Sequence, residues 1–217
     1  MVRMVKTKVC GITNLEDAQV AIELGADALG FNFYKKSPRY IDPTEAKALM
    51  ESLPPLVSMV GVFVDEFSAE RVVSIAHAVG VGTVQLHGSE SPEYAKKIRE
   101  VIRVFKAFGV DQNFEVDQVA AFPVNAFLLD TRDNVLKGGT GRTFQWEVAV
   151  AAKRFGRVIL AGGLKPDNVF EAICQVKPYG IDICSGIEEM PGKKDHREME
   201  LLFNEIHRAR MELWRVG

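Results

Sequence analysis

Cysteine is scarce in this sequence. Its three copies, Cys10, Cys174 and Cys184, are odd in number and far apart, with no Cys-x-x-Cys pair. That excludes a disulfide framework and a cysteine zinc site as the basis of the fold. An excess of either charge is also missing: 27 basic residues stand against 29 acidic ones, a formal net charge of −2. Nothing therefore draws the whole surface to nucleic acid or to an anionic membrane, and an anionic ligand has to be held by a local site. No apolar run approaches the ~20 residues of a membrane-spanning helix. The opening Met-Val-Arg-Met-Val-Lys lacks the apolar core of a secretory signal, so the cytoplasm is the expected compartment. Low-complexity stretches and Pro/Gly/Ser-rich linkers are absent too, and one domain over residues 1–217 is the expected organisation.

What the sequence does have is a globular composition, 47% hydrophobic and 26% charged, and a regular alternation. Short apolar runs at 7–10, 28–33, 57–64, 83–87, 104–108, 126–130, 158–161 and 181–184 alternate with amphipathic stretches. The runs are rich in Val, Ile and Phe and read as strands buried on both faces, as parallel strands are. The stretches between them carry helix signals. Thr13 with Glu16 reads as a capping box, with Leu15, Ala18 and Ile22 on one face and Gly25 as the stop. Asp42-Pro43 opens a second helix with Ala46, Leu49, Met50 and Leu53 inward. Ser68 opens a third, with Val72, Ile75, Ala76 and Val79 ahead of Gly80. Ser91-Pro92-Glu93 opens a fourth, ahead of Tyr94, Ile98 and Val101. Met199, Leu202, Phe203 and Ile206 stripe a long final helix, while 111–121 has the poorest helical pattern. About eight strand–helix units predict an α/β fold, a single (β/α)8 TIM barrel. The competing doubly wound sheet commonly carries Gly-x-Gly-x-x-Gly after its first strand; here Cys10-Gly11-Ile12-Thr13 stands there instead.

In a TIM barrel the chemistry sits at the C-terminal strand ends, which points to Cys10, His87, Asp130, Asp182 and Cys184. The two-residue period of a strand sets Lys8 with Cys10, Gln85 with His87, and Asp182 with Cys184 on shared faces. So many polar groups inside a barrel are costly unless paired or used. Each has a plain reading as well. Cys10 alone is a small buried apolar side chain, His87 a hydrogen-bonded structural residue, and Cys174 helix packing beside Ile173. An aspartate closing a strand is harder to explain by packing. Glycine-bearing turns follow the late strands: Gly138-Gly139-Thr140-Gly141, Ala161-Gly162-Gly163 and Ser185-Gly186. Backbone N–H groups unobstructed by Cβ atoms can close on phosphate oxygens, and loops after the seventh and eighth strands are where this fold often does so. One such turn is only a turn. Two at adjacent strand ends favour a phosphate cradle. The 138–143 run is no P-loop, because Gly-Lys-Ser/Thr is absent.

Several of these blocks together resemble the phosphoribosylanthranilate isomerase family. They are Lys8-Val9-Cys10-Gly11-Ile12-Thr13, Gly30-Phe31 with Ser37-Pro38-Arg39-Tyr40, Gln85-Leu86-His87-Gly88 and Leu128-Leu129-Asp130-Thr131. The likeness continues through Gly138-Gly139-Thr140-Gly141 with Thr143-Phe144 and Trp146, then Ala161-Gly162-Gly163-Leu164 with Pro166 and Asn168-Val169. It closes with Asp182, Ser185-Gly186-Ile187-Glu188 and Pro191-Gly192-Lys193-Lys194-Asp195, so the blocks cover nearly the whole chain in order. One departure is visible: the family usually carries Asp-Val-Ser-Ser-Gly on its last strand, and this chain has Asp182-Ile183-Cys184-Ser185-Gly186. A thiol donates a weaker hydrogen bond than a hydroxyl, so weaker phosphate binding is expected if that side chain touches phosphate.

The resemblance implies an Amadori rearrangement of N-(5-phosphoribosyl)anthranilate in tryptophan biosynthesis, with a small-molecule phosphosugar as partner and no nucleic acid or membrane. It implies Asp130 as the acid for the furanose oxygen and Cys10 as the base for the adjacent sugar carbon. Substrate contacts are expected at Arg39, His87, Gly141, Gly162, Gly163, Asp182, Ser185 and Gly186. Arg39, whose planar guanidinium suits a carboxylate, is the candidate for the anthranilate group. Burial is expected to raise Asp130, and Lys8 to lower Cys10. No metal and no cofactor is implied, since the imine is its own electron sink. The oligomeric state is left at monomer or homodimer. The alternatives are the aminoimidazole ribonucleotide isomerase of histidine biosynthesis, which resembles paired barrel halves with two aspartates, a barrel accepting both substrates, and a catalytically silent sugar-phosphate-binding barrel. Cys10 at the first strand argues against the first of these, and Cys10 with Asp130 against the last.

Overall fold

The eight apolar runs fold as eight parallel strands in chain order, and the last closes on the first to make a barrel. The computed structural model describes residues 5–131 and 141–216. The strands are β1 Lys6–Cys10, β2 Ala28–Asn32, β3 Ser58–Phe63, β4 Thr83–Leu86, β5 Arg103–Val110, β6 Ala126–Thr131, β7 Val158–Ala161 and β8 Gly180–Ile183. Between and after them come α1 Leu15–Glu23, α2 Pro43–Glu51, α3 Ala69–Val79, α4 Pro92–Arg99, α5 Gly141–Ala152, α6 Val169–Val176 and α7 His196–Val216. This is the (β/α)8 barrel that the alternation predicts.

The helix starts follow from local chemistry. Asp42, Ser68 and Ser91 each accept a hydrogen bond from the backbone N–H of Thr44, Arg71 and Tyr94, satisfying donors that an uncapped helix leaves unpaired. The first cap sits one residue later than expected. Asn14, not Thr13, accepts from Asp17 N at 2.8 Å, and its amide donates back to the Asp17 carboxylate at 2.7 Å. Thr13 donates instead to the carbonyl of Gly192. The stripe rotates accordingly: Leu15 is exposed, while Asp17, Ala18 and Ala21 are buried. Asp17 tolerates burial because Lys194 N and His196 Nε2 both contact its carboxylate at 2.8 Å. Val101 lies beyond the end of α4 and is exposed, so it does not extend that stripe.

The segment with the poorest helical pattern forms only a 3-10 turn, Val116–Ala121, between β5 and β6. Aromatic side chains cover the barrel there. Phe108 packs edge-on to Phe122 with ring centroids 5.1 Å apart, and also touches Phe114 and Phe127. Beneath them Lys106 and Glu90 form an almost wholly buried ion pair at 3.0 Å. Lys106 also donates to the Gly88 carbonyl, and Glu90 accepts from Gly88 N and Asp65 N. One buried pair thus ties β5 to the loops after β3 and β4.

The core has two layers. Val9, Leu29, Phe31, Leu86, Val104, Leu129, Leu160 and Ile181 pack outward against the helices. Inside the barrel, Ala107, Ala126, Leu128, Ile159, Ala161 and Phe105 form an apolar plug under the later strands. Opposite them the lumen is polar. The β1–β8 register pairs Lys8 with Asp182, and Lys8 Nζ meets Asp182 Oδ1 at 2.8 Å. Gly30 on β2 makes room for this: a Cβ there would stand 2.8 Å from both Lys8 Nζ and Cys10 Sγ. After β8 the chain runs through a 3-10 turn, Ser185–Ile187, and a short hairpin, β9 Glu188–Met190 with β10 Lys193–Lys194, before α7. Among the described residues, no helix is long and apolar enough to cross a membrane.

Candidate active site at the C-terminal strand ends

A cleft of about 460 Å³ opens over the C-terminal ends of the strands. Cys10, Arg39, His87, Asp130, Gly162, Gly163, Asp182, Ser185 and Gly186 all line it, nine of the ten positions that the sequence nominates. The tenth, Gly141, is the first residue of α5, while residues 138–140 of its glycine turn lie outside the described residues. A larger hollow of about 580 Å³ lies at the opposite ends of β3 and β4 among Met50, Leu53, Leu56 and Val79. Paired buried acid–base groups, not size, mark the first as the candidate site.

Cys10 ends β1 and is nearly buried. The hydrogen bond from the Cys184 thiol is the largest influence on it and holds it well below the ordinary thiol range. Burial opposes this, and the ammonium groups of Lys8 and Lys194 add to the lowering. Cys184 is correspondingly held well above the thiol range, by its interaction with Cys10 first and by burial second. The expected lowering by Lys8 is therefore present but secondary. The family departure at Cys184 also places a second thiol beside Cys10. Cys184 interacts with Cys10, donates to Glu188 Oε1 at 3.8 Å and accepts from Lys194 Nζ at 3.9 Å.

Burial pushes the Asp182 carboxyl up to about 7 against the pull of Lys8. Burial also works against the charge on Lys8, but Asp182 and Cys10 outweigh it and hold the ammonium above its usual range. Lys8 thus stays cationic throughout the neutral range, next to a carboxyl that titrates within it.

Asp130 closes β6 across the mouth from Cys10, with β7 and β8 between their strands. Its side chain is 20% exposed, less buried than the acid role suggests, and His87 Nε2 lies 3.5 Å from its Oδ2. His87 in turn is oriented by Gln85, whose Nε2 is 2.8 Å from Nδ1. With the Gln85 amide as donor, Nδ1 accepts and Nε2 carries the hydrogen that faces Asp130.

Arg39 reaches the cleft from the loop after β2, but part of its fork is already occupied. Nε lies 2.9 and 3.0 Å from the two Glu188 oxygens and Nη2 lies 2.6 Å from Oε2, leaving Nη1 to address a ligand. Glu188 also receives Lys194 Nζ at 3.0 Å, and Lys194 donates to the backbone carbonyls of Cys10 at 2.6 Å and Cys184 at 3.3 Å. Sequence reasoning assigned neither Glu188 nor Lys194 a place in the site. They stand on the hairpin after the barrel, where neither strand-end position nor periodicity marks them.

The glycine turns after β7 and β8 meet as a cradle. Gly162 and Gly163 take positive φ of 85° and 59°, and a Cβ at Gly186 would overlap the carbonyl oxygen of Leu164. Only glycine allows the loops after β7 and β8 to approach this closely. Among the described residues, no group of three or more His, Cys, Asp or Glu side chains is placed to hold a metal ion.

A closed eight-stranded barrel with clustered titratable side chains and a backbone cradle at its strand ends defines a small-molecule enzyme of the (β/α)8 class. Comparison with known proteins narrows the class. The sequence profile of the N-(5'-phosphoribosyl)anthranilate isomerases matches residues 7–205. The chain is 50% identical over 196 residues to the N-(5'-phosphoribosyl)anthranilate isomerase of Geobacter sp. (strain M21), covering 90% of this chain and 95% of that one. It superposes on phosphoribosyl anthranilate isomerase from Thermotoga maritima with a TM-score of 0.84 at 44% identity, covering 94% of this chain and all of that one. A phosphoribosyl anthranilate isomerase solved with reduced 1-(o-carboxyphenylamino)-1-deoxyribulose 5-phosphate gives 0.83 at 42% identity, with the same coverage. The chain belongs to the N-(5'-phosphoribosyl)anthranilate isomerase family.

Proposed function

We propose that the chain isomerises N-(5'-phosphoribosyl)anthranilate to 1-(o-carboxyphenylamino)-1-deoxyribulose 5-phosphate, a step of tryptophan biosynthesis. The observation that carries this reading is the cleft itself, with Cys10 at the end of β1 on one side and Asp130 of β6 on the other. Asp130 gives a proton to the furanose oxygen as the bond from that oxygen to C1' breaks, and the anthranilate nitrogen takes up the positive charge as an iminium. Cys10 then removes the C2' proton, and the released electron pair neutralises the iminium to an enolamine, which tautomerises to the ketose. Acid and base address different atoms of one sugar, so their placement on non-adjacent strands suits the chemistry.

The phosphate is assigned to the backbone N–H groups around Gly162, Gly163, Ser185 and Gly186, together with the N-terminal end of α5 at Gly141. Nη1 of Arg39 is assigned to the anthranilate carboxylate, and His87 and Asp182 to the ribose. The proposed setting is the cytoplasm, with a monomer or a homodimer as the working unit.

The test follows the fluorescence decay of phosphoribosylanthranilate with wild-type protein, Cys10→Ser and Asp130→Asn. Rapid decay with wild type and a loss of at least ~100-fold in each variant is the expected result. Activity that survives either substitution removes that residue's role. Absence of decay with wild type overturns the substrate.

A further inference from the structure

Two sulfur atoms meet at the head of the barrel, and isomerisation as proposed needs only one of them. The β1–β8 register ends at Val9 with Ile183; Cys10 and Cys184 follow directly, and Lys194 Nζ bonds the carbonyls of both. Neighbouring strands run ~4.8 Å apart, inside the Cα separation of ~4.4–6.8 Å that a disulfide spans. Cys10 leaves β1 towards the lumen, and Cys184, the first residue after β8, lines the same cleft. Lys8 and Asp182, two residues earlier on each strand, meet there at 2.8 Å. Lys194 Nζ, bonded to the carbonyls of both cysteines, holds the two backbones at this spacing. Both cysteines carry free thiols, and both line the open cleft. A hydroxyl at position 184 would also donate a hydrogen bond to Cys10. What only a second sulfur adds is the capacity to form a bond to the first.

We propose that Cys10 and Cys184 form an oxidation site, which a hydroperoxide converts to a disulfide that stops turnover. The loss of turnover rests on Cys10 being the base; the disulfide does not. The Cys10 thiolate attacks the outer peroxide oxygen. An S–O bond forms, the O–O bond breaks, the sulfur is oxidised by two electrons, and the alkoxide or hydroxide leaves as alcohol or water after taking a proton. Cys184 then attacks the sulfenyl sulfur of Cys10. The S–S bond forms, the S–O bond breaks, and the departing hydroxide takes the Cys184 proton as water. The sum is two thiols and one hydroperoxide giving a disulfide, an alcohol or water, and a further water. Of the two, Cys10 is the sulfur held below the ordinary thiol range, which suits it to the first step. Once that sulfur is neutral sulfenic acid, Lys194 Nζ, 3.9 Å from Cys184 Sγ, favours ionisation of the second. A thiol reductant reverses the bond.

The experiment treats the protein with hydrogen peroxide, maps its peptides without reduction, and measures isomerisation before and after dithiothreitol. Each protein is compared with its own untreated rate. The wild type should yield a Cys10–Cys184 linked peptide lighter by two hydrogens, lose most of its rate, and regain it on reduction. Cys184→Ser should yield no link and accumulate irreversible sulfinic acid at Cys10, with little recovery. The wild-type peptide map decides the linkage even if the variant folds poorly. Oxidised Cys10 with no link to Cys184, or recovery equal in wild type and Cys184→Ser, overturns the proposal. A linked peptide with an unchanged rate leaves the oxidation site standing and overturns Cys10 as the base.

Discussion

The Cys10 thiol is set by groups from three separate elements: Cys184 after β8, Lys8 on its own strand, and Lys194 on the hairpin. Its folded-state ionisation is lowered, so the thiolate persists to lower pH than an ordinary thiol's and is lost only as pH falls through the lowered value. Iodoacetamide at neutral pH is therefore expected to alkylate Cys10 well ahead of Cys174, which burial on α6 holds up as a thiol. Peptide mapping across a pH series checks this, and faster labelling of Cys174 would overturn it. Glu188 sets the orientation of Arg39 in the same way. Glu188→Gln weakens the fork that Arg39 now makes and leaves Nη1 less firmly aimed. The expected result is a rise in KM with kcat little changed, the mark of lost uniform binding. Steady-state kinetics decide, and a fall in kcat at constant KM would show that Glu188 acts on the chemistry instead. Cys10, His87, Asp130 and Asp182 were legible in the sequence because each lies within one residue of a strand's C-terminal end. Glu188 and Lys194 were not, because their partners lie across a hairpin whose closure onto the barrel is a tertiary event.

At the scale of elements, most helix starts were legible because capping is local: a short polar side chain bonds an N–H two or three residues on. The exception at α1 shows the limit. Thr13/Glu16 and Asn14/Asp17 both satisfy the local pattern, and the choice was made by Gly192, Lys194 and His196, which engage Thr13 and Asp17 from the far end of the chain. Asn14→Ala is expected to cost about 1 kcal/mol in urea unfolding, whereas the exposed Glu16→Ala stays within about 0.5 kcal/mol. The reverse order would restore the earlier box. The β5–β6 connection teaches the converse. A weak helical pattern correctly forecast a weak element, and the Phe108 cluster covers the barrel where a full helix would otherwise lie.

For the whole molecule, the Lys8–Asp182 pair makes stability depend on pH. The Asp182 carboxyl is raised from its ordinary range to about 7. In that interval the folded state binds more protons at this site than the unfolded chain, so its contribution falls as pH rises. That contribution is fully present below the unfolded value and lost as pH passes about 7. The stability of wild type relative to Asp182→Asn should therefore decline by a few kcal/mol between about pH 4 and pH 7. Urea unfolding of both proteins across that interval checks the sign. A difference that grows with pH would mean that Lys8 stabilises the carboxylate more than burial penalises it.

Periodicity and caps are properties of short segments, so the sequence alone determined the eight strand–helix units, their order, and which residues end each strand. Barrel topology places strand ends at one rim, so it also determined which side chains share the cleft. Only the tertiary structure decided how those side chains pair. Strand register brought Lys8 to Asp182 and Cys10 to Cys184, and the closing hairpin delivered Glu188 to Arg39 and Lys194 to the Cys10 carbonyl. These contacts join residues up to 184 positions apart. No local pattern encodes such a distance; it is set when the eighth strand closes on the first.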